Sequence, residues 1–143
     1  MRFPIFTSTR GPVPGLVAVV AAAMVFSTTA LAADEEYKPQ DLTGRKVAVL
    51  VGEGLHDLET LVPIGFLTNR GASVTVVGVE PGYAKAYNSD TYVRIEKSVD
   101  DVSAGDFDAV VIPGGKSPAY LRKHDNAVAF ARAAVEQGKV TAA

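Results

Sequence analysis

The sequence has no cysteine and no tryptophan among its 143 residues. Without cysteine the chain as given holds no disulfide, no zinc–thiolate site and no thiol nucleophile. Histidine is nearly absent too. His56 and His124 stand alone in polar stretches, with metal-ligand spacing to nothing, so we read both as surface residues and expect no metal. Acid is missing from the whole start of the chain, since no Asp or Glu precedes Asp34. There is no excess of positive charge: the formal net charge is −2. A domain of that balance has no electrostatic reason to seek nucleic acid or anionic lipid.

The acid-free start has its own pattern. Arg2 and Arg10 precede the apolar run "GLVAVVAAAMVF", and Ala30-Leu31-Ala32 supplies the small-x-small site before "ADEEYKP" turns polar. This predicts a cleaved secretory signal over residues 1–32, and hence a periplasmic or secreted protein with no membrane contact once it is removed. The run is shorter than the ~20 residues that span a bilayer. Cleavage leaves 143 − 32 = 111 residues, enough for one domain. Residues 33–45 read as a polar arm with Pro39 and Gly44.

From Lys46 to Ala143 the pattern is strand, helix, strand. "KVAVLVG", "SVTVVGV" and "AVVIPGG" are short β-branched runs ended by or containing glycine, as in strands buried on both faces of a parallel sheet. Between the first two lies a helix with Leu58, Leu61, Val62, Gly65 and Phe66 at helical spacing, Asp57 as its cap and Gly71 just past its end. Pro63 predicts a kink near its middle. "YVRIE" reads as an edge strand, followed by a short return with a turn at Ala104-Gly105. "HDNAVAFARAAVEQGK" is the clearest helix, capped by Asp125 or Asn126, striped by Val128, Ala131 and Val135, and ended by Gly138. "KVTAA" starts a further strand. The fold class is α/β, a mostly parallel sheet with helices on its faces.

Sites in such sheets form beyond the carboxyl ends of the strands. "PGGKSP" is one such end. A phosphate-binding loop would need glycine where Val110 stands, and a receiver domain would need Asp where Ile112 and Pro113 stand, so neither reading holds and no cofactor is expected. Two readings of Gly114 and Gly115 remain. Either their bare amides stabilise an oxyanion, or they make a tight strand-to-helix turn that needs positive φ. Glu59, in the first turn of the preceding helix, can face the same crevice. Its bland alternative is an acid at a helix N-terminus, a role that Asp57 fits better.

Taken together, "KVAVLVGEGLHDLETLVPIGFLTNRGASVTVVGVEPG", "DFDAVVIPGGKSPAYLR" and "AVAFARAAVEQGKVTAA" resemble the ThiJ/PfpI family over residues 46–143. The resemblance implies a flavodoxin-like three-layer α/β sandwich. It also implies an ancestry of cysteine-dependent peptidases, cofactor-free glyoxalases, deglycases and stress chaperones, acting on small carbonyl substrates or damaged protein, often as homo-oligomers. Glu59 matches the family glutamate held beside the nucleophile's sulfur, where burial would keep it protonated and able to hydrogen-bond a thiolate. Gly114 and Gly115 match the glycines of the oxyanion site. Ala119 stands where the peptidase-like branch often has Asp or Glu, so a peptidase triad is not expected. The family's Cys-His elbow would follow the strand "KVTAA", which the resemblance places centrally in the sheet. The chain therefore reads as an incomplete domain that stops just before its nucleophile, inactive by itself, with a non-catalytic stress or chaperone-like protein as the alternative.

Overall fold

In a computed structural model, which describes residues 38–143, the apolar runs become five parallel strands. The expected signal peptide and the first residues of the arm, 1–37, lie outside the described residues. Strand β1 (Lys46–Leu50) sits in the middle of the sheet. It pairs with β2 (Ser73–Gly78) on one side, Lys46 opposite Ser73 and Leu50 opposite Val77. On its other side is β6 (Ala109–Val111), with Val47 opposite Ala109. Residues Val47 to Leu50 are all buried, as the unbroken apolar run requires of a strand covered on both faces.

The hairpin between β2 and β6 carries the main surprise. "YVRIE" does not extend the parallel sheet. Strand β4 (Tyr92–Ile95) pairs antiparallel with β3 (Gly82–Lys85) in a separate ribbon. The ribbon lies over one sheet face, where Ala84, Val93 and Ile95 join Val49, Val51 and Val76 in a core. The short strand β5 (Lys97–Ser98) then pairs with β2 and forms one sheet edge. Two 3-10 turns, Val99–Asp101 and Ala104–Asp106, make the expected return to β6, the second closed by a capping box between Ser103 and Asp106.

Helix α1 (Asp57–Asn69) is continuous through Pro63. The stripe expected to pack inward faces outward instead: Leu58 is 63% exposed, Val62 60% and Phe66 53%. The sheet-facing positions are Thr60, which is fully buried, and half-buried Ile64 and Leu67. The helix is apolar on both sides, so periodicity alone could not choose which side meets the sheet. Thr60 can be buried because its hydroxyl donates to the His56 carbonyl at 2.8 Å. Arg70 closes the helix and Gly71 follows at φ +89°, as the glycine predicted.

The other sheet face packs on α2 (Ser117–Leu121) and α3 (Asp125–Glu136), with Leu121, Ala127, Phe130 and Ala134 against Leu50 and Val110. Ala127, Phe130 and Ala134 are the buried residues of α3, with Ala131 half-buried beside them and Val128 and Val135 further out. The expected stripe lies one step round the helix, and Val135 is 63% exposed. Capping also differs. His56 and His124 are the N-cap residues, without side-chain caps, and Asp57 and Asp125 are the first helical residues. Strand β7 (Val140–Ala142) pairs with β6 and is the last strand on that side among the described residues.

Candidate functional site

The carboxyl ends of β1 and β6 lie side by side, and the loops that leave them are stitched together. The Lys116 amide donates to the Gly54 carbonyl at 2.7 Å and the His56 amide to the Gly114 carbonyl at 3.3 Å. Gly115 sits between them at φ +82°, and a Cβ there would lie 2.8 Å from both the Gly54 oxygen and the His56 nitrogen. Only glycine allows so close an approach of two backbones in that conformation.

This stitching brings the start of α1 onto the end of β6. Glu59 Oε2 accepts a hydrogen bond from the Gly114 amide at 2.9 Å. Two of the three expected site residues are thus in direct contact across 55 positions of sequence. A side chain at Gly114 would collide with that same carboxylate oxygen. Two details bear on that contact. Glu59 is exposed in the chain as described. The Gly114 amide is occupied by Glu59, so it is open to an oxyanion only when the carboxylate moves aside.

Ser117 is a residue the sequence reading did not single out. It is wholly buried, and its Oγ accepts the Gly52 amide at 2.7 Å, tying the β1 loop to the first residue of α2. A serine before proline at a helix start signals a turn, yet nothing local announces a partner 65 residues away.

The histidines are not plain surface groups. His56 packs its ring edgewise on Tyr87, with centroids 5.8 Å apart, and its Nδ1 lies 3.5 Å from Asp57 Oδ1. The side-chain amide of Asn88, then Ser89 and the Leu58 amide, hold the Asp57 carboxyl below its ordinary range. His124 lies against Tyr120 at 4.8 Å between ring centroids. Neither histidine touches Glu59 by any hydrogen bond described. Among the described residues no three His, Asp or Glu side chains cluster as metal ligands, and no helix is long and apolar enough to cross a membrane.

Next to Gly114 opens an apolar groove of about 450 Å³, walled by Ile112, Pro118, Leu121, Val128, Ala131 and Val135. The stripe predicted on α3 lines this groove.

Comparison with known proteins gives the family. Residues 45–143 match the DJ-1/PfpI family. The chain is 40% identical over 95 residues to the "Putative cysteine protease YraA" of Bacillus subtilis, covering 66% of this chain and 56% of that protein. It is 35% identical over 96 residues to "Protein/nucleic acid deglycase 2" of Escherichia coli, covering 66% and 56%. A solved two-domain protein from Anabaena variabilis, with DJ-1/ThiJ/PfpI-like and ferritin-like domains, superposes with a TM-score of 0.65 at 34% identity. That match covers 68% of this chain and 28% of that one. The chain thus spans about half the length of the curated relatives it matches. With its parallel sheet, stitched strand-end loops and these matches, the chain belongs to the DJ-1/PfpI family.

Proposed function

We propose that these residues form the carbonyl-orienting part of a cysteine-dependent hydrolase or deglycase-like enzyme, whose thiol comes from polypeptide that follows β7 in the whole protein. The contact between Glu59 and the Gly114 amide carries the reading. It places a carboxyl group and a bare backbone amide together at the strand ends, where α/β sheets keep their sites. A thiol arriving there adds to a carbonyl: the S–C bond forms, the C=O π bond breaks, and the thiol proton ends on the oxygen. In its protonated form Glu59 donates a hydrogen bond to the thiolate and so favours it, and the Gly114 and Gly115 amides receive the developing oxyanion once Glu59 turns from amide to sulfur. The names of the relatives support this class of substrate.

In this reading the chain alone turns over methylglyoxal at the background rate, since it has no cysteine. Joined to the remaining part of a homologue it gains activity, and Glu59→Gln lowers that activity while raising the pH at which the thiol is alkylated. Equal activity and equal alkylation profiles for the parent chimera and its Glu59→Gln variant would falsify the role of Glu59.

The outward apolar stripe on α1 favours a second reading, a non-catalytic stress or holdase protein, and also supports homo-oligomerisation in either case. Suppression of aggregation of a denatured client by the thiol-free chain is its test. The signal-like leader supports export to the periplasm or beyond.

A further inference from the structure

A second groove, of about 520 Å³, opens beside the loops that follow β1 and β6. Its walls carry three lysines, Lys85, Lys116 and Lys123, with Tyr87 and Tyr120 and a single carboxylate, Glu53. We propose that this groove is an anion-binding site that takes a small molecule bearing a carboxylate or phosphate group.

The lysines are placed by backbone and not by chance drift of long side chains. Gly54 stands between two of them. Its amide donates to the Lys85 carbonyl at 2.9 Å, and its carbonyl accepts from the Lys116 amide at 2.7 Å. A Cβ at Gly54 would lie 2.8 Å from that of Lys116, so the two segments meet more closely than a side chain allows. Glu53, the one carboxylate lining the groove, is tied to the backbone, its Oε2 accepting the Lys85 amide at 3.1 Å. Lys85 Nζ is paired with Asp90 at 3.3 Å. Lys116 Nζ lies 5.5 Å from the centre of the Tyr87 ring, held over the groove wall by that ring's negative face. Among the described residues neither Lys116 nor Lys123 has a carboxylate partner.

Two lysines without carboxylate partners line one concavity in a protein of net negative charge, a local positive wall that an anion can neutralise. The groove is open and small, which suits a low-molecular-weight oxyanion with an organic part to lie on the tyrosines. The inference does not need the thiol chemistry proposed for Glu59, and its test reads binding, so either can fail without the other.

The test is an NMR titration of the 15N-labelled chain with inorganic phosphate and, separately, with acetate, each against sodium chloride at matched ionic strength. We expect saturable shifts at the amides of Gly54, Ala86, Tyr87 and Lys116. Lys116→Gln combined with Lys123→Gln should weaken the affinity about tenfold or more. Both side chains are exposed, and unchanged shifts elsewhere would show that the double variant is folded; if it is not, the two single variants are read the same way. A stronger response to phosphate assigns a phosphate ester, and a stronger one to acetate assigns a carboxylate. Shifts that chloride reproduces, that survive the lysine substitutions, or that fail to appear with either anion overturn the proposal.

Discussion

Replacing Ser117 by alanine tests whether the two strand-end loops are held together as the structure indicates. The substitution removes one oxygen from a wholly buried position and leaves the Gly52 amide, also buried, without its 2.7 Å acceptor. The lost volume is small, so the cost is that of an unsatisfied buried donor, about 1–3 kcal/mol. Water cannot easily take the place of Oγ, because the space over Gly52 is filled by the Tyr120 ring and Leu121. For a domain of this size a urea slope of about 1–2 kcal/mol/M turns that cost into a midpoint lower by roughly 1 M. The transition can be followed by circular dichroism and by tyrosine fluorescence, as the chain has five tyrosines and no tryptophan. Ser103→Ala, which removes the exposed capping contacts at the start of Ala104–Asp106, is the control and should move the midpoint by less than half as much. Hydrogen exchange at Gly52 should also accelerate in the Ser117 variant relative to Val49. A midpoint and a Gly52 exchange rate both equal to those of the parent would refute the reasoning, since the clamp would then hold nothing.

Other outcomes follow from the same contacts. Glu59→Gln should change the stability of this chain by less than about 0.5 kcal/mol, because the amide oxygen of the new side chain can still accept from Gly114, whereas Glu59→Ala should cost about 0.5–1.5 kcal/mol in the same denaturation assay. The Asp57 carboxyl has a lowered pKa in the fold, chiefly through Asn88. Its contribution is therefore present above the unfolded value near pH 4 and is lost as pH falls through the folded value; Asn88→Ala should raise the Asp57 pKa toward the ordinary range in a carboxyl NMR titration. Sedimentation should show self-association that Val62→Asp or Phe66→Glu reduces, because both side chains project from the outward stripe of α1. N-terminal sequencing of exported material should read "ADEEYKP", and a start at Met1 would remove the proposed cleavage after Ala32.

What the sequence determined by itself was the set of features written in neighbouring residues. The unbroken run at Val47–Leu50 marks a strand buried on both faces, and Ala109–Val111 marks a neighbour of which only Val110 is buried. The glycines at 71 and 138 mark helix ends, and both adopt the positive φ that the mark implies. The resemblance carried by "HDLET" and "IPGG" put Glu59 and Gly114 in one site, and the fold brings them into contact. Tertiary structure decided the rest. Helix α1 is apolar on more than one side, and only docking on the sheet selected Thr60 over Val62; on α3 packing covers Phe130 and leaves Val135 exposed. "YVRIE" alternates equally well as a sheet edge or as half of a hairpin, and its partner Gly82–Lys85 has too little pattern of its own to announce the pairing. The Ser117–Gly52 clamp and the lysines drawn together across Gly54 depend on segments far apart in sequence, so their positions exist only after the chain has folded. Local periodicity fixes which elements form; which of their faces meet is settled by packing, where each residue's partners are distant along the chain.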